Sequence, residues 1–143
     1  DQTDRSCHSF SITGKAENVA DIHREIDLFC QQNGIPRNKG VLLAIAFEEA
    51  ALNTINHNEH VSMIDICLLL EEGSLIVRIR DDGAPFDPLA FVDDEDILQM
   101  NNIRLLERLT DQKTYTRIMN MNNTVLSIRL EAAENDGAND GTC

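Results

Sequence analysis

The chain has 143 residues, of which 42% are apolar, 26% charged and 4% aromatic, a composition typical of one folded domain with an aliphatic core. Twelve Lys and Arg against 25 Asp and Glu give a net charge of −13, which argues against nucleic acid or an anionic membrane as a partner. No apolar run approaches the roughly 20 residues of a membrane-spanning helix. Four cysteines without a CxxC spacing are typical of reduced thiols, so we expect a cytoplasmic protein.

The first half of the chain carries one strand pattern followed by two helix patterns. We expect residues 1–7 to form a flexible N-terminus and the alternating residues 8–13 to form a strand at a sheet edge. Apolar residues at helical spacing predict helices over 18–32 and 38–58, separated by an Asn-Gly helix end and a proline.

The second half carries two predicted hairpins, separated by a loop and a helix. The first hairpin has strands over 61–70 and 75–80 and is followed by a structured loop over 81–88. A helix over 97–110 then leads to strands over 115–120 and 124–130 around a turn at 121–123, and we expect a disordered tail over 131–143. Hairpins without regular strand–helix–strand alternation predict an α+β fold. We expect one domain over 8–130, a two-layer α/β sandwich with a mostly antiparallel sheet and helices on one face.

A polar row crosses the otherwise apolar second helix. Glu49, Asn53 and His57 are four residues apart, so on a helix they lie above one another on one face. Their neighbours within 44–57 are mostly apolar, and polar groups in such surroundings are costly unless they line a wet cleft. The row therefore indicates a site, although His57 also suits the last carbonyls of a helix. A polar stripe on an amphipathic helix is the simpler alternative.

A short acidic motif with a glycine follows the second strand of the first hairpin. Asp81 places a carboxylate where a buried strand ends, and Gly83 would let a flat ligand approach the backbone. An ordinary turn is the alternative, because Asp-Gly is common in turns. We expect this loop and the polar row of the helix to meet over the sheet.

These two motifs together carry a resemblance to a known family. Glu49-x-x-x-Asn53, followed about 30 residues later by Asp81-x-Gly83, resembles the GHKL (Bergerat) ATP-binding fold of gyrase, Hsp90, histidine kinases and MutL. Within that superfamily the chain looks most similar to the small anti-sigma factor serine kinases of bacteria. The stretch FEEAALNTINH, the phrase DDGAPFDP and the ending of a helix and two strands carry this similarity.

The resemblance implies a role for each matching residue and a set of partners. Glu49 would be the general base for an attacking hydroxyl, and Asn53 would hold Mg²⁺ against the phosphates of ATP. Asp81 would accept a hydrogen bond from the adenine amino group, and Gly83 would let the ring lie close. The acceptor would be a serine on an anti-sigma factor antagonist, the protein would also bind a sigma factor, and it would form a homodimer.

The sequence departs from this family at the second glycine motif. The family usually has Gly-x-Gly at the start of the third helix, where backbone amides hold the phosphates. Met100, Asn101 and Asn102 stand there in this chain. Asn tolerates left-handed backbone geometry, so we expect Asn102 to replace one glycine and to contribute to cofactor binding. Arg104 and Arg108 are the nearest candidates for contacts to phosphate.

Two other functions remain open from the sequence. The missing glycines favour a catalytically silent module of the same fold, which would regulate a partner by surface contact. The ATP-binding half of a histidine kinase is a weaker alternative, because no phospho-acceptor helix pair precedes the domain in this sequence.

Overall fold

The computed structural model describes residues 6–58, 60–90 and 101–130. In chain order the elements are β1 (Ser6–Thr13), a 3₁₀ turn (Ala16–Asn18), α1 (Val19–Gln32), α2 (Arg37–His57), β2 (Met63–Glu71), β3 (Ser74–Asp81), α3 (Asn101–Leu109), β4 (Thr110–Ile118) and β5 (Met121–Arg129).

The five strands form a single sheet in the order β1-β2-β3-β5-β4, and every neighbouring pair is antiparallel. The helices pack on one face of this sheet, where the buried residues of all three helices and of β2, β3 and β5 form the core. The predicted α+β sandwich is therefore confirmed. Within the described residues, no helix is long and apolar enough to cross a membrane.

Several element boundaries differ from the prediction. β1 begins at Ser6, so Ser6 and Cys7 pair with β2 and do not belong to a flexible N-terminus. β4 begins at Thr110, immediately after α3, although we predicted its start at residue 115. The predicted start of the third helix and the predicted tail over 131–143 lie outside the described residues.

The two hairpins turn through two residues each. Glu72 and Gly73 have φ angles of 53° and 79°, and Met119 and Asn120 have φ angles of 53° and 65°. Two positive φ angles in succession fit a two-residue turn whose twist matches that of the strands. The turn predicted at 121–123 is therefore wrong, because these residues open β5. Our prediction placed the turn at the asparagines, but the strand pairing places it before them.

α2 is the central helix, which packs against both α1 and α3. Its buried residues cover more than one face because a helix between two others and a sheet has little exposed surface: Gly40, Leu43, Ala44, Ala46, Phe47, Ala50, Ala51 and Thr54. A Cβ on Gly40 would lie 3.1 Å from the Cβ of Cys30 on α1, so the glycine allows the two helices to approach closely.

Alternation along β3 separates two surfaces of the sheet. Successive side chains of a strand point to opposite faces. Leu75, Val77, Ile79 and Asp81 are buried on the helix-covered face, whereas Arg78 and Arg80 are half-buried on the other face. β3 therefore places the Asp81 carboxylate under the helices and the guanidinium groups of Arg78 and Arg80 on the uncovered face of the sheet.

The turn between β4 and β5 gives a first testable prediction. Asn120→Gly should raise the free energy of unfolding by about 1 kcal/mol, because glycine adopts a positive φ without the steric cost that other residues carry. Urea denaturation measures this change. Asn123→Gly is the matched control: it places glycine inside a strand and should lower stability. A stabilising Asn123→Gly would favour the turn at 121–123.

Candidate functional site

Asp81 ends β3 as an almost fully buried carboxylate, with 1% of its surface exposed. Its Oδ1 accepts hydrogen bonds from the backbone N–H of Gly83 and from Nδ2 of Asn122, both at 2.8 Å. Within the described part of the chain, no hydrogen bond to Oδ2 is found. One oxygen of this carboxylate is therefore fixed by the protein, and the other remains available to a donor on a ligand.

Burial raises the pKa of the Asp81 carboxyl above its ordinary value. The hydrogen bonds from Asn122 and Gly83 stabilise the ionised form and act in the opposite direction, as does the charge of Arg117. Desolvation is the largest of these effects. A donor that hydrogen-bonds to Oδ2 would therefore recover part of the solvation that the ionised carboxylate has lost.

Asn122 connects Asp81 to the loop that follows β3. It lies directly opposite Asp81 in the β3–β5 register, and 1% of its surface is exposed. Nδ2 donates to Asp81 and also to the carbonyl of Ala84, at 2.8 Å. The amide oxygen accepts from the N–H of Phe86, from Nη1 of Arg117 and from the hydroxyl of Tyr115. Because these bonds occupy both ends of its amide, Asn122 organises the site and has no spare group for a ligand.

Asn58, which follows α2, fixes the same loop from the other side. Its amide pairs with the backbone of Ala84 through both groups: Oδ1 accepts from the N–H at 2.8 Å, and Nδ2 donates to the carbonyl at 2.9 Å. A Cβ on Gly83 would lie 2.2 Å from Nδ2 of Asn58 and 2.5 Å from Val61. A side chain at position 83 would therefore clash with Asn58 and Val61, which is a structural reason for glycine here. The role of Gly83 beside a ligand ring stays a prediction.

The second half of α2 runs along this loop, as predicted. Nδ2 of Asn53 donates to the carbonyl of Pro88 at 3.2 Å. The ring of His57 stacks on Phe86, with centroids 5.5 Å apart, and its Nδ1 lies 3.0 Å from the carbonyl of Asn53. His57 therefore binds one of the last helix carbonyls, consistent with the structural alternative. Asn53, the predicted Mg²⁺ ligand, therefore contacts the loop through its amide nitrogen, whereas a metal would be bound through an amide oxygen.

Glu49 lies one helical turn before Asn53 and contacts α3. Its Oε2 accepts a hydrogen bond of 2.7 Å from Nδ2 of Asn102. Its Oε1 is buried and has no hydrogen-bond partner among residues 6–58, 60–90 and 101–130. A buried acceptor without a partner is costly, and a substrate hydroxyl or a water molecule bound there would remove that cost. Asn102 therefore holds one oxygen of the Glu49 carboxylate, and the other is buried without a hydrogen bond from the described residues.

Asn102 differs from its prediction. It lies inside the first turn of α3, and its φ is not among the positive values, so it does not supply the left-handed geometry of a missing glycine. Its side chain holds Glu49 instead. Arg104, the predicted phosphate contact, is exposed on the same helix. Met100 lies outside the described residues.

The family model of the histidine kinase-like ATPase domain matches residues 12–130. The match covers most of the chain, and the protein therefore belongs to this family of ATP-binding domains. The predicted superfamily is confirmed at this level. No curated protein matches the sequence significantly.

Sequence reasoning missed the polar residues that organise the site. Asn58, Tyr115, Arg117 and Asn122 come from three separate segments and meet only because of the sheet register and the end of α2. The run Met121-Asn122-Asn123 is typical of a turn by its composition, and this local signal hides Asn122. A strand assignment over 121–129 would have placed Asn122 on the same face as the apolar residues Leu126 and Ile128, which is the signal of a buried polar residue.

Asn122→Ala should lower the free energy of unfolding by roughly 3 kcal/mol, because it leaves several buried donors and acceptors without partners. Chemical denaturation of the purified chain measures this loss. Asn123→Ala is the matched control, since its side chain lies on the other face of β5 and is half-exposed; it should change stability by less than about 0.5 kcal/mol. Equal effects of the two substitutions would contradict the organising role of Asn122.

The buried Asp81 also predicts an unusual dependence of stability on pH. Because its pKa is raised on folding, ionisation costs more in the folded state, and stability is lost as the pH rises from the unfolded-state pKa through the folded-state pKa. Asp81→Asn removes this ionisation and should gain stability relative to the unsubstituted protein as the pH rises through that range. Unfolding free energies from about pH 3 to pH 7 measure the difference.

Asp82 provides the control of opposite sign. Partial burial opposes ionisation, but hydrogen bonds from Ser62 and Met63 outweigh it and hold the pKa of the Asp82 carboxyl below its ordinary value. Its contribution to stability is present above the unfolded-state pKa and is lost as the pH falls. Asp82→Asn should therefore lose relative stability as the pH rises. If the relative unfolding free energies of the two variants changed in the same direction with pH, the opposite pKa shifts of Asp81 and Asp82 would be refuted.

Proposed function

We propose that this protein is a Mg-ATP-dependent protein-serine kinase of the anti-sigma factor type, with Glu49 as its general base. The observation that supports the proposal is that two carboxylates of the site have the same hydrogen-bonding pattern. Glu49 and Asp81 each have one oxygen fixed by an asparagine amide and the other without a hydrogen-bond partner in the described residues. Within an ATPase fold, this arrangement suits one acceptor for the nucleophile and one for the nucleotide base.

Each half-free carboxylate fits a different part of the reaction. An acceptor oxygen at Asp81 would bind the exocyclic amine of adenine, which guanine does not present at that position. Oε1 of Glu49 would accept the proton of a serine hydroxyl, while Asn102 keeps the carboxylate oriented through Oε2. Mg²⁺, held through Asn53, would neutralise charge on the phosphates when ATP is bound. Arg104, exposed on α3, is proposed as a further phosphate contact.

The partners follow from the same family resemblance. We propose a serine of an anti-sigma factor antagonist as the phosphoryl acceptor, a sigma factor as the regulated partner, and a homodimer as the active form. The net charge of −13 supports protein partners over nucleic acid. A cytoplasmic location belongs to the same proposal.

A second candidate function is favoured by α3. Met100, Asn101 and Asn102 stand where the family usually has Gly-x-Gly, and the Asn102 side chain contacts Glu49 directly. A protein that had lost phosphoryl transfer could keep this contact as a structural bond between α2 and α3. In that case it would be a binding module that regulates its partner without chemistry.

Nucleotide binding and ATP turnover test these candidates in one series. The melting temperature should rise with ATP concentration in the presence of Mg²⁺, since ligands that bind only the folded state stabilise it. Asp81→Asn should abolish that rise, and Asp82→Asn should keep it. Glu49→Gln should keep the rise. It should also slow ADP formation, in which water takes the phosphoryl group when no protein substrate is added, by about 10²–10⁴-fold, the usual contribution of a general base.

Each outcome separates the candidates. No rise in the unsubstituted protein would refute an ATP-dependent kinase. A rise without ADP formation, or ADP formation that Glu49→Gln leaves unchanged, would end the role of Glu49 as base and support the binding module.

A further inference from the structure

Two arginines on the uncovered face of the sheet form no ion pair within the described residues, although Asp65 lies opposite Arg80 in the β2–β3 register. Arg78 and Arg80 alternate with the buried row of β3 and lie on the face opposite Asp81. Both are half-buried, and within the described part of the chain neither forms a hydrogen bond or an ion pair. The Nε of Arg80 is buried and has no hydrogen-bond partner in the part of the chain that the structure describes. A guanidinium that has lost water without gaining an acceptor is in a costly state.

The half-buried position of these two arginines distinguishes them from Lys15, Arg37 and Arg108, which are exposed and remain hydrated. Five other positive side chains of the described residues find acceptors: Arg24 pairs with Asp21, Lys113 with Asp87 and Arg129 with Asp111, while Lys39 donates to Leu130 and Arg117 to Gly83. With a net charge of −13, the protein has ample carboxylates for ion pairs. The state of Arg78 and Arg80 therefore requires a separate explanation.

The two arginines line a groove with a volume of about 260 Å³. Its other polar walls come from β1 and β2, namely Ser9, Ser11, Asp65 and Cys67. Asp65 is the carboxylate of the groove, and the Ser11 hydroxyl donates to it. The groove therefore keeps an excess of one positive charge, and the Ser9 hydroxyl is a further polar group of its lining.

We infer that this groove binds a phosphate group. Residues two apart on one face of a strand are separated by about 7 Å, so two guanidinium groups can approach one anion from two sides. A planar carboxylate is satisfied by the fork of a single arginine, whereas a tetrahedral phosphate offers oxygens to both. The partnerless Nε of Arg80 is the donor that such an anion would satisfy.

The inferred site is independent of the proposed function. Arg80 and Asp81 are consecutive residues that point to opposite faces of the sheet, so the two sites are separated by its thickness. The phosphate could belong to a free ion or to a phosphorylated side chain. Inorganic phosphate and O-phosphoserine are therefore the two probes.

Cys67 offers a local readout. It lines the groove, whereas Cys7 is exposed on β1 and lies outside it. In the full chain, the alkylation rates of both thiols are followed by peptide mass spectrometry at fixed ionic strength and pH. Phosphate at about 20 mM should slow Cys67 about fivefold for a dissociation constant of about 5 mM, and should leave Cys7 unchanged. Chloride at the same ionic strength should protect neither thiol.

Matched variants localise the effect. Arg80→Gln and Arg78→Gln should remove the protection of Cys67. Arg129→Gln, which alters a paired cation elsewhere in the sheet, should retain it, as should Asp81→Asn. Retention in Asp81→Asn would show that the phosphate does not act through the proposed nucleotide site. Stronger protection by O-phosphoserine than by inorganic phosphate would identify a phosphorylated side chain as the source, and equal protection would identify the free ion.

Protection by chloride, or protection that persists in both arginine variants, would overturn the inference. So would the absence of protection by either probe in the unsubstituted protein. The arginine stems would then serve only to cover the sheet. The comparison of Cys67 alkylation with and without each probe uses only the unsubstituted protein. It therefore tests phosphate binding even if the substituted chains fail to fold.

Discussion

The site depends on one physical constraint, the burial of the Asp81 carboxylate at the end of β3. A carboxylate that is 1% exposed must be hydrogen-bonded, and the β3–β5 register places Asn122 beside it to donate. The same amide then holds the loop after β3 through Ala84 and Phe86. One buried charge thus requires one buried amide, and that amide determines the path of the loop that faces α2.

The Glu49 carboxylate has the same hydrogen-bonding pattern as Asp81, although different elements of the fold contribute to it. Glu49 belongs to α2 and is held by Asn102 of α3, so the distance between the two helices determines its orientation. In both cases an asparagine fixes one oxygen and leaves the other without a partner. Such half-satisfied carboxylates cost stability in the absence of a ligand, as expected of a binding or catalytic site more than of a core.

The sequence predicted the architecture because hydrophobic periodicity is a local property. The two long helices, the first hairpin and the α+β class were all correct, and the motifs on α2 and after β3 led to the family that matches residues 12–130. The roles assigned to Glu49, Asn53 and Asp81 stay predictions. Boundaries failed where local signals misled: the asparagines at 121–123 suggested a turn, yet pairing with β3 extends the strand through them.

The sequence by itself therefore determined the fold class, the polar row of α2 and the Asp81-x-Gly83 loop, since each depends on spacing within one segment. Only the tertiary structure decided what those residues contact. Asn122 lies 41 positions from Asp81 in the chain, and Asn102 lies 53 from Glu49; no local pattern encodes such pairs. Strand register and helix packing set them, because these arise from the burial of the whole apolar core and not from any single segment.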